Sequence, residues 1–460
     1  MSASTHHGLG LHSRLFPIAV LTALPIKCIL AAITPESVDF TNIATGASWV
    51  VENQIILQGP YTFSVNFISL FYRLWLLIPV DHQWIYSGQT FIPSSAAYLL
   101  VFLLKIPLII FDVLTGFLIY RLVYSLSRNQ NTAALGAAVW LLNPYLTIII
   151  EMDGTMDIIG TFFTFLSCYL FVRGRYSTSG VLLAVATMAR FFPIALIPFF
   201  GLALVREGKR RNLYTMIVSY LAPLALVAAV LLARFGTTFL EMIYSIPAGG
   251  NREFTWFLGF RPNTSSTSGA ELSSVAFVCA LVALLMLRIW KYDRRLILDV
   301  ILIGLITYVG FSHFNRYYTI WVIPFLTLDL AMHKDGLYRK AYAALFTLFF
   351  VSAFIYNFAY WWNDGLFFIY ESTPLITQMV NYMREAGSIL RLGDLGTTFT
   401  QSILAGTCII YATMVIMRNF LKSSFSPTIV AQLVGFTKSQ QPSTMGFLED
   451  PSVQDAQSSL

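Results

Sequence analysis

Residues 179–205 read SGVLLAVATMARFFPIALIPFFGLALV, an apolar run with one charge, Arg190, near its middle and Pro193 three residues on. Basic residues flank it on both sides, Arg173 and Arg175 before it and Arg206, Lys209, Arg210 and Arg211 after it. Lys and Arg collect at the cytoplasmic ends of membrane spans, so both ends of the run belong on one face. A crossing needs about 20 residues, and the run is too short for two. Proline ends a helix, and irregular backbone at membrane depth is tolerated only where it lines a protein-buried or wet cavity. The reading is a broken re-entrant hairpin, bent at Arg190 to Pro193, with a site at the bend.

The rest of the chain agrees with a membrane setting. Its 460 residues are 57% hydrophobic and 11% charged, with mean hydropathy +0.68. That is too apolar for a soluble globule, a disordered scaffold or a nucleic-acid binder. Cys28, Cys168, Cys279 and Cys408 all lie in apolar runs without C-x-x-C spacing, so they read as packing residues. Ten spans are expected, starting near Leu15, Ala96, Thr132, Ile158, Leu213, Ser273, Leu296, Tyr317, Ala341 and Gln401. The first is read as uncleaved, because Lys27 interrupts it and no small-residue cleavage site follows.

With the 179–205 run re-entrant and Tyr61 to Val80 lying along the outer interface, 19 of the 29 Lys and Arg fall inside, seven outside and three in the membrane. That bias puts both termini in the cytoplasm and all the long connections outside. The expected layout is a transmembrane domain over 1–422, with its first external loop at about 35–95, followed by a disordered cytoplasmic tail over 423–460.

The candidate chemistry faces outward. Glu36 and Asp39 follow the first span, where a half-buried carboxylate can act as a general base, although a solvated loop charge is the plain alternative. Glu151, Asp153 and Asp157 put three carboxylates into seven residues, which repel unless a cation or polar ligand sits between them. Oxygen ligands suit Mg²⁺ or Mn²⁺, and the alternative is the preference of acids for a helix N-terminus. Lys105 and Asp112 share a span two turns apart, too far for a direct pair, and Asp112 reads as a contact to a neighbouring helix. Arg190 offers a planar fork for a phosphate, or else caps carbonyls at the break. His313, Asn315, Arg316 and Tyr317 could hold a sugar or phosphate, in a zone where interfacial aromatics are expected anyway.

Several segments in this order resemble the GT-C superfamily of membrane glycosyltransferases, its mannosyltransferase-like branch above all. They are Leu104-Lys105-Ile106-Pro107 with Phe111-Asp112, Trp140 to Tyr145, Glu151 to Asp157, Ala186 to Pro193, and Tyr317 to Pro324. The resemblance spans most of residues 10–330. It implies an all-α polytopic membrane protein, a GT-C-like helical bundle with the re-entrant hairpin and interfacial helices in the first external loop. It also implies transfer of a hexose such as mannose from a polyprenyl- or dolichyl-phosphate donor to an extracytoplasmic lipid or glycan acceptor, with inversion. Asp39 matches the family's catalytic acid. Glu36, Lys105, Arg190, His313, Asn315, Arg316 and Tyr317 would bind substrate, and Glu151, Asp153 and Asp157 would hold any Mg²⁺ or Mn²⁺. Where many members carry Asp-x-Asp, this chain has two residues between its acids. The expected location is the plasma membrane or endoplasmic reticulum, with membrane lipids as partners. A secondary transporter or lipid-linked-sugar flippase is the second reading, and a non-catalytic membrane partner the third.

Overall fold

The computed structural model describes residues 15–34, 38–53, 62–80, 86–87, 90–91, 95–190, 192–236, 296–311, 316–333, 335–360 and 394–420. The described chain is helical apart from a ribbon of two-residue strands, Tyr86–Ser87 and Thr90–Phe91. The chain divides into a large unit, Met1–Ile416, and a C-terminal unit, Met417–Leu460, of which only the last turn of a helix is described. The tail expected over 423–460 and the span expected near Ser273 lie outside the described residues.

Helix α1 (Leu15–Ile33) packs on α4 (Ser95–Ser127) and α5 (Gln130–Leu141). Between α1 and α4 lie α2 (Val38–Glu52) and α3 (Thr62–Leu76), at 15 residues each about 22 Å long and too short to cross a bilayer. Asn129 starts α5 by accepting from the backbone N–H groups of Asn131 (2.9 Å) and Thr132 (3.1 Å). Asn143 caps α6 (Pro144–Thr147) through Leu146 N–H at 3.2 Å, with Pro144 at the first helical position. The axis bends by 41° across this break. A single π turn, Ile148–Met152, follows, and Gly154 at φ 74° carries the chain into α7 (Asp157–Val172).

The break expected in the 179–205 run is present. Helix α8 (Tyr176–Ala189) stops at Arg190, whose backbone is extended, and a 3₁₀ turn (Phe192–Ala195) leads into α9 (Leu196–Arg206). After Glu207-Gly208-Lys209 the next helix, α10 (Arg210–Phe235), begins. The returning end is fixed by Lys209 Nζ, 3.4 Å from the Tyr176 hydroxyl, so both ends of the segment lie together. Hydrogen bonding to Glu207 holds the Lys209 ammonium above its ordinary range.

Small and hydroxyl residues let these helices approach closely. Ser167 and Ser179 each donate to the other's carbonyl, at 2.8 and 2.9 Å, which clasps α7 to α8. α8 and α10 run side by side through Ser177–Ser219 (2.7 Å) and Tyr220–Thr187 (3.2 Å). At Gly180 a Cβ would fall 2.4 Å from the Met216 carbonyl oxygen, so only glycine permits this spacing.

The later described helices are α11 (Leu296–Phe311), α12 (Thr319–Met332), α13 (Gly336–Tyr360) and α14 (Asp394–Phe420). By length and composition, four helices among the described residues can cross a membrane, or five with the bent α5–α6 pair counted as one span. Helices α7, α8 and Leu296–Gly310 are apolar but shorter, so fewer than the ten expected spans have full crossing length there. α10 turns Tyr214, Val218, Leu221 and Leu226 outward, each at least half exposed. This is a multi-pass membrane protein, and in a bilayer that face meets hydrocarbon.

Candidate functional site

Nine Asp, Glu, Lys and Arg side chains are buried among the described residues, none more than 6% exposed; Asp329 lies with His333 and Tyr411, and the other eight come from six parts of the chain. Four are cations, Lys27 (α1), Lys105 (α4), Arg190 (the hairpin bend) and Arg316 (the 3₁₀ turn Arg316–Tyr318), and four are carboxylates, Asp112, Glu151, Asp153 and Asp157. An isolated buried charge costs several kcal/mol, so a low-dielectric interior favours placing such groups beside partners of the opposite sign.

Lys27 joins three elements. Its ammonium lies 2.9 Å from Asp112 Oδ2 and 3.0 Å from Glu151 Oε2, and it donates to Thr147 Oγ1 at 3.3 Å. Lys105, two turns from Asp112 on α4, instead donates to the carbonyls of Thr34 and of Met152 (2.7 Å), which ties down the C-terminal end of the π turn. Asp112 is therefore the interhelical contact that its spacing from Lys105 suggested.

Arg190 is held by Asp157 through both carboxylate oxygens, in the fork geometry expected of guanidinium and carboxylate. Asp157 accepts two further hydrogen bonds, from Trp321 Nε1 and Thr155 Oγ1, both at 3.0 Å. The Trp321 indole is stacked between Phe192 (4.2 Å) and Tyr318 (4.4 Å), so the hairpin bend is locked onto α12 by an ion pair and an aromatic stack. Arg316 Nη2 lies 3.3 Å from Asp153 Oδ2 and 2.5 Å from the Tyr317 hydroxyl. Its backbone carbonyl accepts from Tyr145 (3.1 Å) and Thr319 (2.6 Å).

The residues expected from sequence thus divide. Lys105, Arg190, Arg316, Glu151, Asp153 and Asp157 belong to one buried network, with Tyr317 beside Arg316. Glu36, His313, Asn315 and the Asp39 side chain lie outside the described residues, although the Asp39 backbone forms part of α2. The three carboxylates expected to share a site for Mg²⁺ or Mn²⁺ each lie beside a different cation. Glu151 goes to Lys27, Asp153 to Arg316 and Asp157 to Arg190, and among the described residues no group of three metal-binding side chains exists. Arg190, expected as a phosphate fork or a carbonyl cap, is bonded to Asp157. Two contributors had no assigned role in the sequence reading, Lys27 and Trp321. The signal for Lys27 was its position as the one charge in the first span.

A general base needs a lone pair turned toward substrate. In this network each carboxylate lies beside a cation from another part of the chain, contacts that link α1, α4, α7, the hairpin bend and α12, while Asp112 Oδ1 and Glu151 Oε1 make no hydrogen bond among the described residues.

A family model described as GPI transamidase subunit PIG-U matches residues 85–246, just over a third of the chain, from the ribbon through α10. No curated protein matches. This similarity overturns the expectation of an enzyme that moves a hexose from a polyprenyl-phosphate donor, since a GPI transamidase subunit performs no such transfer. The glycosyltransferase activity, its lipid-linked sugar donor and the mannosyltransferase assignment are withdrawn with it.

Proposed function

We propose that this chain is a non-catalytic, multi-pass subunit of a GPI transamidase assembly, working with protein partners in the membrane of the endoplasmic reticulum. The observation that carries the reading is the match over residues 85–246 to the GPI transamidase subunit family. That segment supplies most of the paired network, Lys105, Asp112, Glu151, Asp153, Asp157 and Arg190. A network whose charges serve one another suits a rigid subunit better than a reaction centre. Both termini face the cytoplasm, as the distribution of Lys and Arg favours.

Depletion of the chain from cells that display a GPI-anchored reporter tests this. The expected result is loss of surface reporter, accumulation of its uncleaved precursor, and build-up of complete GPI lipid. Build-up of a GPI lipid lacking a sugar, or normal anchoring, contradicts it. In detergent extracts the tagged chain is expected to co-purify with the protein-cleaving subunit of the same activity.

A further inference from the structure

We propose that the base of the α8–α9 hairpin binds the headgroups of anionic phospholipids. Two segments far apart on the hairpin, Arg173-Gly174-Arg175 and Arg206 to Arg211, are brought side by side by the Lys209–Tyr176 contact of 3.4 Å. Arg173, Arg175, Arg206, Arg210 and Arg211 are exposed there, and Lys209 is half-buried. Glu207 is the one carboxylate in these two segments, and it is ion-paired to Lys209. Among the described residues no carboxylate is ion-paired to Arg173, Arg175, Arg210 or Arg211. The two segments together carry six cations and one anion, a net charge of +5.

Backbone adds to the side chains. α8 and α10 both begin at this patch, with Arg175 and Lys209 as N-cap residues, and neither side chain makes a capping hydrogen bond. Two helix N-termini thus point their partial positive charge at the same place as the arginines. Arg173 lies with its Cζ 5.4 Å from the Tyr169 ring centroid, which holds its guanidinium near the end of α7.

The position selects a lipid over a free anion. α10 is one of the helices long and apolar enough to cross the bilayer, and it starts at Arg210, so the patch lies at the membrane surface. One turn in, Tyr214 is 67% exposed at the depth where interfacial aromatics gather, and Val218 and Leu221 continue an outward apolar face below it. A phospholipid whose phosphate meets the arginines lays its chains along that face, and inorganic phosphate gains nothing from it. Polybasic segments at the end of a span attract acidic headgroups, with each basic residue raising the affinity about fivefold. This inference is independent of the proposed function.

The test is native mass spectrometry of the full chain purified in mixed micelles containing equal phosphatidylserine and phosphatidylcholine. The expected result is retained phosphatidylserine at several-fold excess over phosphatidylcholine, falling when salt is raised. Replacing all four of Arg173→Gln, Arg175→Gln, Arg210→Gln and Arg211→Gln should lower that excess about tenfold or more, while the four Arg→Lys replacements should keep most of it. The Lys variant and the salt series decide the matter if the Gln variant inserts poorly. Equal retention of the two lipids, an excess insensitive to salt, or an excess untouched in a folded Gln variant overturns the proposal. Full displacement of the lipid by inorganic phosphate at millimolar concentration also overturns it, in favour of a free-anion site.

Discussion

The two ends of the α8–α9 hairpin both depend on arginine, and they use it in opposite ways. At the bend Arg190 is buried and bonded through its fork to Asp157, which also accepts from the Trp321 of a Phe192–Trp321–Tyr318 stack. At the base Arg173, Arg175, Arg210 and Arg211 are exposed, and the single carboxylate of their two segments, Glu207, is paired to Lys209. The dielectric explains the contrast. A guanidinium in the interior must carry its counter-charge with it, whereas one at the surface is solvated and screened and is available to something outside the protein. Similar residues therefore hold the bundle together at one end and leave a field at the other.

The largest expected effect comes from stranding interior charge. Lys27→Met leaves Asp112 and Glu151 without their shared ammonium, and loss of one partner of a buried pair costs about 3–5 kcal/mol. Thermal unfolding in detergent should show a large drop in midpoint. A midpoint within the error of the native protein would mean that these carboxylates are solvated and that the contrast between interior and surface is wrong.

The hairpin wall, between the two ends, should respond more moderately. Gly180→Ala places a methyl where the Met216 carbonyl stands and should cost about 1–3 kcal/mol by forcing α8 away from α10. Disulfide cross-linking between cysteines placed at Ser177 and Ser219, whose hydroxyls lie 2.7 Å apart, should slow in that variant. An unchanged rate would mean the two helices are not in close contact. At the base, Arg175→Gln alone should change stability by no more than about 0.5 kcal/mol, as surface substitutions do. A loss comparable with that of Lys27→Met would erase the difference between the two ends.

The hairpin was legible in the sequence because its evidence is local: Pro193 and Arg190 break the run, and the flanking arginines fix both ends on one side. The separation of Lys105 from Asp112 was also readable, since two turns of helix hold them about 10 Å apart. The Glu151 to Asp157 cluster misled for a geometric reason. In a continuous helix Asp153 and Asp157 share a face, but here the π turn ends just before Asp153 and a left-handed Gly154 breaks the helix between the two acids. Each acid consequently meets a different helix. The partners could not be read in advance, because Lys27 lies 124 residues from Glu151 and Trp321 lies 164 from Asp157. The functional reading failed at another level. Acids and bases spaced like a sugar-transfer site describe the scaffold, and whether they are free to react depends on pairings that only the fold shows.

A double-mutant cycle on Arg190 and Asp157 tests the claim that the buried charges exist for one another. Arg190→Ala and Asp157→Ala each strand a charge in the interior, and the double replacement removes both. Measured by unfolding of the purified chain in detergent, the account predicts that the double variant is no less stable than the worse single variant, with a coupling of about 2 kcal/mol or more. Losses that simply add would contradict it and would return Arg190 and Asp157 to independent roles facing a ligand.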